Sequence, residues 1–349
     1  METETGPYTT PHPLLSPTAE SEQKQWQPVK RFWVKIVMFA AMLLLSQLAL
    51  SSVLMRRLDV YRDLEAIKSA DVVLFGDSTN SFAWKADGDK RSIKDFLAEL
   101  LSKYKVDAVA QAGYHMPVFA AYSNIMASLT QRPKYIVIPI NLRSFSPCWL
   151  DNPARSFPEL NPTLQWGPWM YTALIEPLKT LNGAGDSKLK KTQAEYLDSP
   201  VFDRDIRVGA VRDFKNIEVG VGTDKLDDAG KKTFIAYINC LHFDKNHPQL
   251  RWLRETILSA RKAGVAPIVY ITPSNYELAS DWYGPEFQAR TAESIAIIQA
   301  VLAEFKLSAI DMSFDLTREN FFDPIPSEHM KEAGRRHVAM RIAESINGK

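Results

Sequence analysis

The sequence predicts a three-layer α/β/α sandwich on a parallel five-stranded sheet, preceded by one N-terminal transmembrane helix. Three observations carry this. Short apolar, β-branched runs recur along the chain. Amphipathic helical stripes lie between them. A long uncharged segment stands ahead of the first run. Continuous apolar runs read as strands buried on both faces, and their alternation with helices places layers on either side of the sheet.

The N-terminal stretch, residues 1–28, is rich in proline, serine and threonine and offers little to a core, so it reads as disordered. The chain then runs IVMFAAMLLLSQLALSSVLM from Ile36 to Met55 without a charge. That is long enough to cross a bilayer. Trp33 and Phe32 suit the headgroup level. No face of the segment is polar, which argues against a buried helix of a soluble domain. The apolar run is long and its leader extended for a cleaved signal peptide, so an uncleaved anchor is expected. Basic residues flank both ends, so charge does not set the orientation. The expected parts are a tail over 1–30, an anchor over 31–57 and a globular domain over 58–349.

A short polar helix from about Asp59 to Ser69 should lead into the domain. The strands are expected at DVVLFG (71–76), VDAVAQAG (106–113), KYIVIPIN (134–141), VAPIVYITP (265–273) and LSAIDM (307–312). Ile93, Phe96, Leu97, Leu100 and Leu101 form a helical stripe, with Asp89 as candidate N-cap. Phe119, Tyr122, Met126 and Leu129 form a second, with Pro117 in its first turn. Leu250, Leu253 and Ile257 form a third, which Gly264 should terminate. Ile298, Val301 and Leu302 make a fourth, and Val338, Ile342 and Ile346 the last.

The roughly one hundred residues between the third strand and Leu250 exceed any crossover. They read as an insertion over about 146–248 that could cap a site. Trp149, Trp166 and Trp169 there could line a groove or pack the insertion onto the sheet. Net charge is +1 and no basic cluster is interleaved with aromatics, so nothing points to nucleic acid. Cys148 and Cys240 fit no metal spacing and could be a disulfide or two buried thiols. His242 and His247 do not share a helix face, and no metal or other cofactor is expected.

Gly-Asp-Ser occurs twice. Gly185-Asp186-Ser187 follows LNGA with no strand before it and reads as a turn. Gly76-Asp77-Ser78 follows a buried strand, at the strand end where parallel α/β sheets bind ligands. Gly113 follows the second strand, Asn141 the third and Ser274 the fourth, and His329 comes after the fifth. Serine, backbone amide, side-chain amide and imidazole on one rim are what acyl transfer through serine requires.

With those residues in view, the chain resembles the SGNH (GDSL-type) hydrolase superfamily from about Asp71 to Lys349, the insertion excepted. FGDST resembles its first block, AGYHMP its glycine block, PINLR its asparagine block and DPIPSEHMKEAG its terminal Asp/His block. The resemblance implies Ser78 as nucleophile and His329 as general base. It also implies an oxyanion hole from the Ser78 and Gly113 N–H groups and the Asn141 amide. Membrane-anchored members add or remove acyl groups on exported polysaccharides. The kinship therefore implies a domain outside the cytoplasm and, as partners, an acylated carbohydrate or acyl donor, the membrane and a membrane-bound acyltransferase.

Three positions depart from the family pattern. Thr79 stands where leucine is usual, Pro139-Ile140 where glycine precedes the asparagine, and Pro326 where the family has its aspartate. Asp323 precedes His329 by six positions and is carried over as the acid, with a Ser-His dyad left open. Asp77, Asn80, His115 and Ser274 are candidate site-lining residues. Ser327 is expected to N-cap the last helix, His329 to start it, Glu328 to point elsewhere on it and His337 to lie further along it. The rival reading is a catalytically inactive SGNH-fold scaffold or glycan-binding protein. A flavodoxin-like ligand-binding domain is a third, without the glycine-rich loop of a nucleotide site.

Overall fold

The computed structural model describes residues 19–55, 59–81, 83–150, 157, 160–166, 227–239 and 242–348. The chain divides into two units, one ending at Leu54 and one starting at Met55.

The first unit holds all but the last residue of helix α1 (Ala19–Met55). Its Arg31–Ala49 stretch is long and apolar enough to cross a membrane, and none of it is buried. Helix already begins inside the stretch expected to be disordered. The reason is local. Proline and threonine crowd the first eighteen positions, but AESEQKQWQ holds strong helix formers and neither proline nor glycine.

The second unit opens with α2 (Asp59–Ser69) and then builds one sheet. Its strands are β1 (Val72–Gly76), β2 (Val106–Ala110), β3 (Tyr135–Ile140), β4 (Ala266–Ile271) and β5 (Ala309–Asp311). All pair in parallel, in the order β2-β1-β3-β4-β5. β1 has β2 on one side and β3 on the other, which opens a crevice at its carboxyl end. This is the sandwich expected from the sequence.

Successive strand residues point to opposite faces. Val73, Phe75, Ile136, Ile138, Val269 and Ile271 pack on one side with α2, α5 (Met116–Met126), α9 (Pro248–Lys262) and α11 (Glu286–Ala303). Val72, Leu74, Val137, Ile268 and Tyr270 pack on the other with α4 (Ile93–Leu100) and α12 (Glu332–Asn347). Burial on both faces is why these strands read as unbroken apolar runs. Phe75 stacks on Phe119 at 5.1 Å between centroids, a contact worth about 0.5–1.5 kcal/mol beyond its area.

Helix ends follow their capping chemistry. Gly264, at φ +76°, ends α9 with Gly264 N–H to Arg261 O and Val265 N–H to Ala260 O, the double bond of a Schellman cap. α4 is capped by Ser92 in a capping box with Asp95, not by Asp89. Asp89 binds Arg91 and Arg336 instead. At the last helix the N-cap is Lys331, not Ser327, and His329 lies before α12 rather than on it. An antiparallel bridge between Phe321 and Met330 keeps that segment extended, and two prolines in the loop between them oppose helix.

The insertion contributes α6 (Pro147–Leu150), α7 (Leu160–Trp166) and α8 (Asp228–Ile238). Phe234, Ile235 and Ile238 of α8 pack with Ile325 and with residues of α10 (Tyr276–Tyr283) and Phe287 of α11. The insertion thereby bears on the loop that precedes His329. Trp149 is buried against Arg143 and His115, so it packs the insertion and lines no groove. The side chains of Trp166, Trp169, Cys148 and Cys240, and the second Gly-Asp-Ser at Gly185, lie outside the described residues.

Arg335 on α12 is fully buried. Its guanidinium donates to Asp87 Oδ2 at 2.7 Å and to the carbonyls of Asp89, Arg91 and Met330. Arg335→Met would leave Asp87 buried without its charge partner. The expected loss is about 3–5 kcal/mol of stability, read from the midpoint of urea denaturation at unchanged slope.

Candidate active site

β1 ends at Gly76, and Asp77 leads directly into the short helix α3 (Ser78–Ser81). A side chain at position 76 would put its Cβ 2.5 Å from Asn80, so only glycine lets the turn close this tightly. Asp77 Oδ1 accepts the Thr79 N–H at 2.8 Å. The Asp77 N–H donates to Asn80 Oδ1 at 3.2 Å, and Asn80 Nδ2 donates to the Tyr270 hydroxyl at 2.9 Å. Local bonds thus tie the turn carrying Ser78 to β4. Asn80 spends its amide on this support and is a framework residue rather than a lining one.

Residues 320–331 fold back on themselves. The Phe322 N–H donates to His329 O and the Lys331 N–H to Asn320 O. This brings Asp323 beside His329 although six positions separate them in sequence. His329 Nδ1 lies 2.6 Å from Asp323 Oδ2, and His329 Nε2 lies 2.9 Å from Ser78 Oγ. An ionised carboxylate only accepts, so Nδ1 carries the proton and Nε2 accepts from Ser78. The Ser327 hydroxyl donates to Asp323 Oδ2 at 2.7 Å and accepts the His329 N–H at 3.2 Å. Ser327 therefore ties the Asp323 carboxylate to the His329 main chain. The Phe322 ring stacks on the imidazole at 5.7 Å.

Burial alone would raise the Asp323 carboxyl. Its hydrogen bond with His329, the charge on that ring and the Ser327 hydroxyl outweigh burial and hold it below its usual value. Burial alone would lower the His329 imidazole. The Asp323 hydrogen bond and the negative charges of Glu328 and Asp323 outweigh that, against opposition from Arg143, and raise it above its ordinary value.

Asn141 follows β3 and is buried. Its Oδ1 accepts the Arg143 N–H at 3.0 Å. Both Nδ2 hydrogens are engaged, one to Asp77 Oδ2 at 2.9 Å and one to Glu328 Oε1 at 2.7 Å. Asn141, expected to serve the oxyanion, thus bonds two carboxylates in this geometry. Glu328 is also bonded to Arg143, with both side chains buried. Gly113 sits at φ +86° in the turn after β2, the strand adjacent to β1.

His115 is the N-cap residue of α5 and is buried. Its Nδ1 accepts from Gln249 Nε2 at 2.8 Å and its ring meets Trp149 edge-on, so it belongs to the packing between α5 and α9. Ser274 is half-buried in a polar pocket beside Asn141, Arg143, Asn275 and Glu328. His247 caps α9 as a neutral acceptor, pushed down to about 4 by burial. His337 bonds Asp315 on the surface. Among the described residues no three ligating side chains cluster as a metal site.

Neither Arg143 nor Glu328 is among the site residues expected from the sequence. Arg143 sits in the quoted PINLR block, and a buried arginine there needs an acid. Glu328 adjoins His329, but assigning a helix to that segment turned it away.

No family model and no curated protein matches the chain. Two solved structures are similar over most of its length. One is the native aryl esterase of M. smegmatis, at 10% identity over 79% of this chain and 98% of that one, with a TM-score of 0.33. The other is a crystal structure at 14% identity over 81% and 98%, with a TM-score of 0.34.

Asp323→Asn removes two of the contributions that raise the imidazole. The His329 titration, followed by NMR of ring-labelled histidine, is expected to move to lower pH in that variant.

Proposed function

We propose that this protein is a membrane-anchored serine esterase or O-acyltransferase acting on acyl groups of a cell-envelope or exported polysaccharide. The observation that carries the reading is the chain of contacts from Ser78 Oγ to His329 Nε2 and from His329 Nδ1 to Asp323 Oδ2, at 2.9 and 2.6 Å. A serine hydroxyl is a poor nucleophile until a base takes its proton. His329 is aligned to do so, and Asp323 to hold the tautomer and stabilise the imidazolium.

Ser78 Oγ attacks the acyl carbonyl as its proton passes to His329 Nε2. The tetrahedral oxyanion takes hydrogen bonds from the Ser78 and Gly113 N–H groups. His329 then protonates the leaving alcohol, and an acyl-Ser78 ester remains. A second acceptor, deprotonated by His329, releases the acyl group. Water makes the reaction a hydrolysis and a sugar hydroxyl makes it a transfer.

The membrane assignment draws on the apolar stretch of α1, and the envelope carbohydrate on the resemblance of the strand-end motifs to SGNH proteins. Only a short span of chain, holding α2 and β1, separates the apolar stretch from Ser78, which supports an acyl donor carried by a membrane-bound partner.

A fluorophosphonate should label the wild-type protein at Ser78, and Ser78→Ala should abolish both labelling and hydrolysis of p-nitrophenyl acetate. Labelling that persists in Ser78→Ala would sink the assignment. Asp323→Asn should slow turnover by about 10³-fold or more. Because His329 must be neutral to accept a proton and is raised, kcat/KM should fall on the acid side with a midpoint above the ordinary imidazole value of about 6.5.

A further inference from the structure

We infer that Glu328 and Arg143 are positioning residues for the Ser78–His329 couple, and that they act through Asn141 as a buried clamp between the nucleophile loop and the base loop. The inference rests on the serine-hydrolase reading and deepens it.

The geometry is unusually direct. Asp77 immediately precedes Ser78, and Glu328 immediately precedes His329. One amide, Asn141 Nδ2, bonds both carboxylates, at 2.9 and 2.7 Å. In extended backbone successive side chains point to opposite sides. His329 can therefore reach Ser78 and Asp323 while Glu328 reaches down to the end of β3. The bridge Asp77–Asn141–Glu328 thus runs beside the Ser78–His329 contact and constrains its length from behind.

Two carboxylates on one amide are costly to bury without a cation. Arg143 supplies it. The 3-10 turn Leu142–Phe145, capped by Asn141 itself, puts Arg143 under Glu328. Its guanidinium also lies over the Trp149 ring at 4.7 Å. Asp323 and Glu328 face His329 from its own loop, Arg143 faces it from the turn after β3, and Asp77 lies across Asn141 from Glu328. Within this set Glu328 favours the imidazolium and Arg143 opposes it.

Opposite charges this close to the imidazole act on it in opposite directions, so its titration reads whether Glu328 and Arg143 stand beside His329 as the clamp requires. The experiment follows the His329 titration by NMR in the full-length protein in detergent micelles, with ring-labelled histidine and assignment by loss of the signal in His329→Asn. Glu328→Gln keeps an acceptor for Asn141 but removes the charge, and should lower the midpoint by about half a pH unit or more. Arg143→Gln should raise it by a similar amount. The acid limb of fluorophosphonate labelling should shift the same way in each variant. Unchanged midpoints, or shifts of the same sign, overturn the inference. If Arg143→Gln does not fold, Arg143→Lys keeps the charge and should titrate near wild type, and an unmoved midpoint in Glu328→Gln is then enough to overturn it. Absence of Ser78 labelling in the wild type would count against the serine reading alone, because the titration reports on Glu328 and Arg143 without turnover.

Discussion

The antiparallel pairing of residues 320–322 with 329–331 determines where the acid and the imidazole meet. Two main-chain hydrogen bonds, Phe322 N–H to His329 O and Lys331 N–H to Asn320 O, close a loop that contains both proline residues and Ser327. Without that closure Asp323 and His329 would lie on a wandering segment. With it, a carboxylate six positions away reaches Nδ1 at 2.6 Å. The same extended backbone turns Glu328 the other way, toward the end of β3. One local conformation therefore produces both the polar chain at the surface of the crevice and the buried bridge beneath it.

The sheet supplies the other half. Parallel pairing of β1 with β2 and β3 brings the ends of three strands together, so that Asp77 and Asn141 meet without any loop having to search for them. The crevice is polar at its floor because strand ends carry main-chain groups that cannot be buried unpaired. Asp77, Asn80 and Asn141 satisfy those groups, and each also bonds a neighbouring segment. Electrostatic balance then follows from burial. A carboxylate on each side of one amide calls for a cation, and Arg143 is placed to provide it.

Much of the fold was legible because burial on both faces writes itself as unbroken apolar runs, as in VVLF and YIVIPI. The position of Ser78 was legible for the same reason, since a strand must end somewhere and chemistry gathers there. The acid was harder. Spacing along the chain says nothing of a reversal, and the pairing of Phe321 with Met330 has no short-range signature beyond two prolines. The helix assigned over Ser327 and His329 failed because SEHMKEAG carries good helix formers, and tertiary pairing overrode their propensity. The sequence shows the Asn141 amide but not the two carboxylates that bond it in the fold. Arg143 shows no partner in the sequence, and the helix expected over Glu328 turns that carboxylate away from an ion pair that only the fold creates.

Arg335 adds a temporal dimension. It sits on the last helix yet holds the loop at Asp87–Arg91, downstream of the turn that carries Ser78. Asp323 and His329 likewise lie far downstream of Ser78. While the polypeptide is being made, Ser78 emerges early, with neither its imidazole nor its framing loop in place. A chain shortened ahead of residues 320–331 would keep Ser78 but lose both Asp323 and His329, the two side chains that line up behind it.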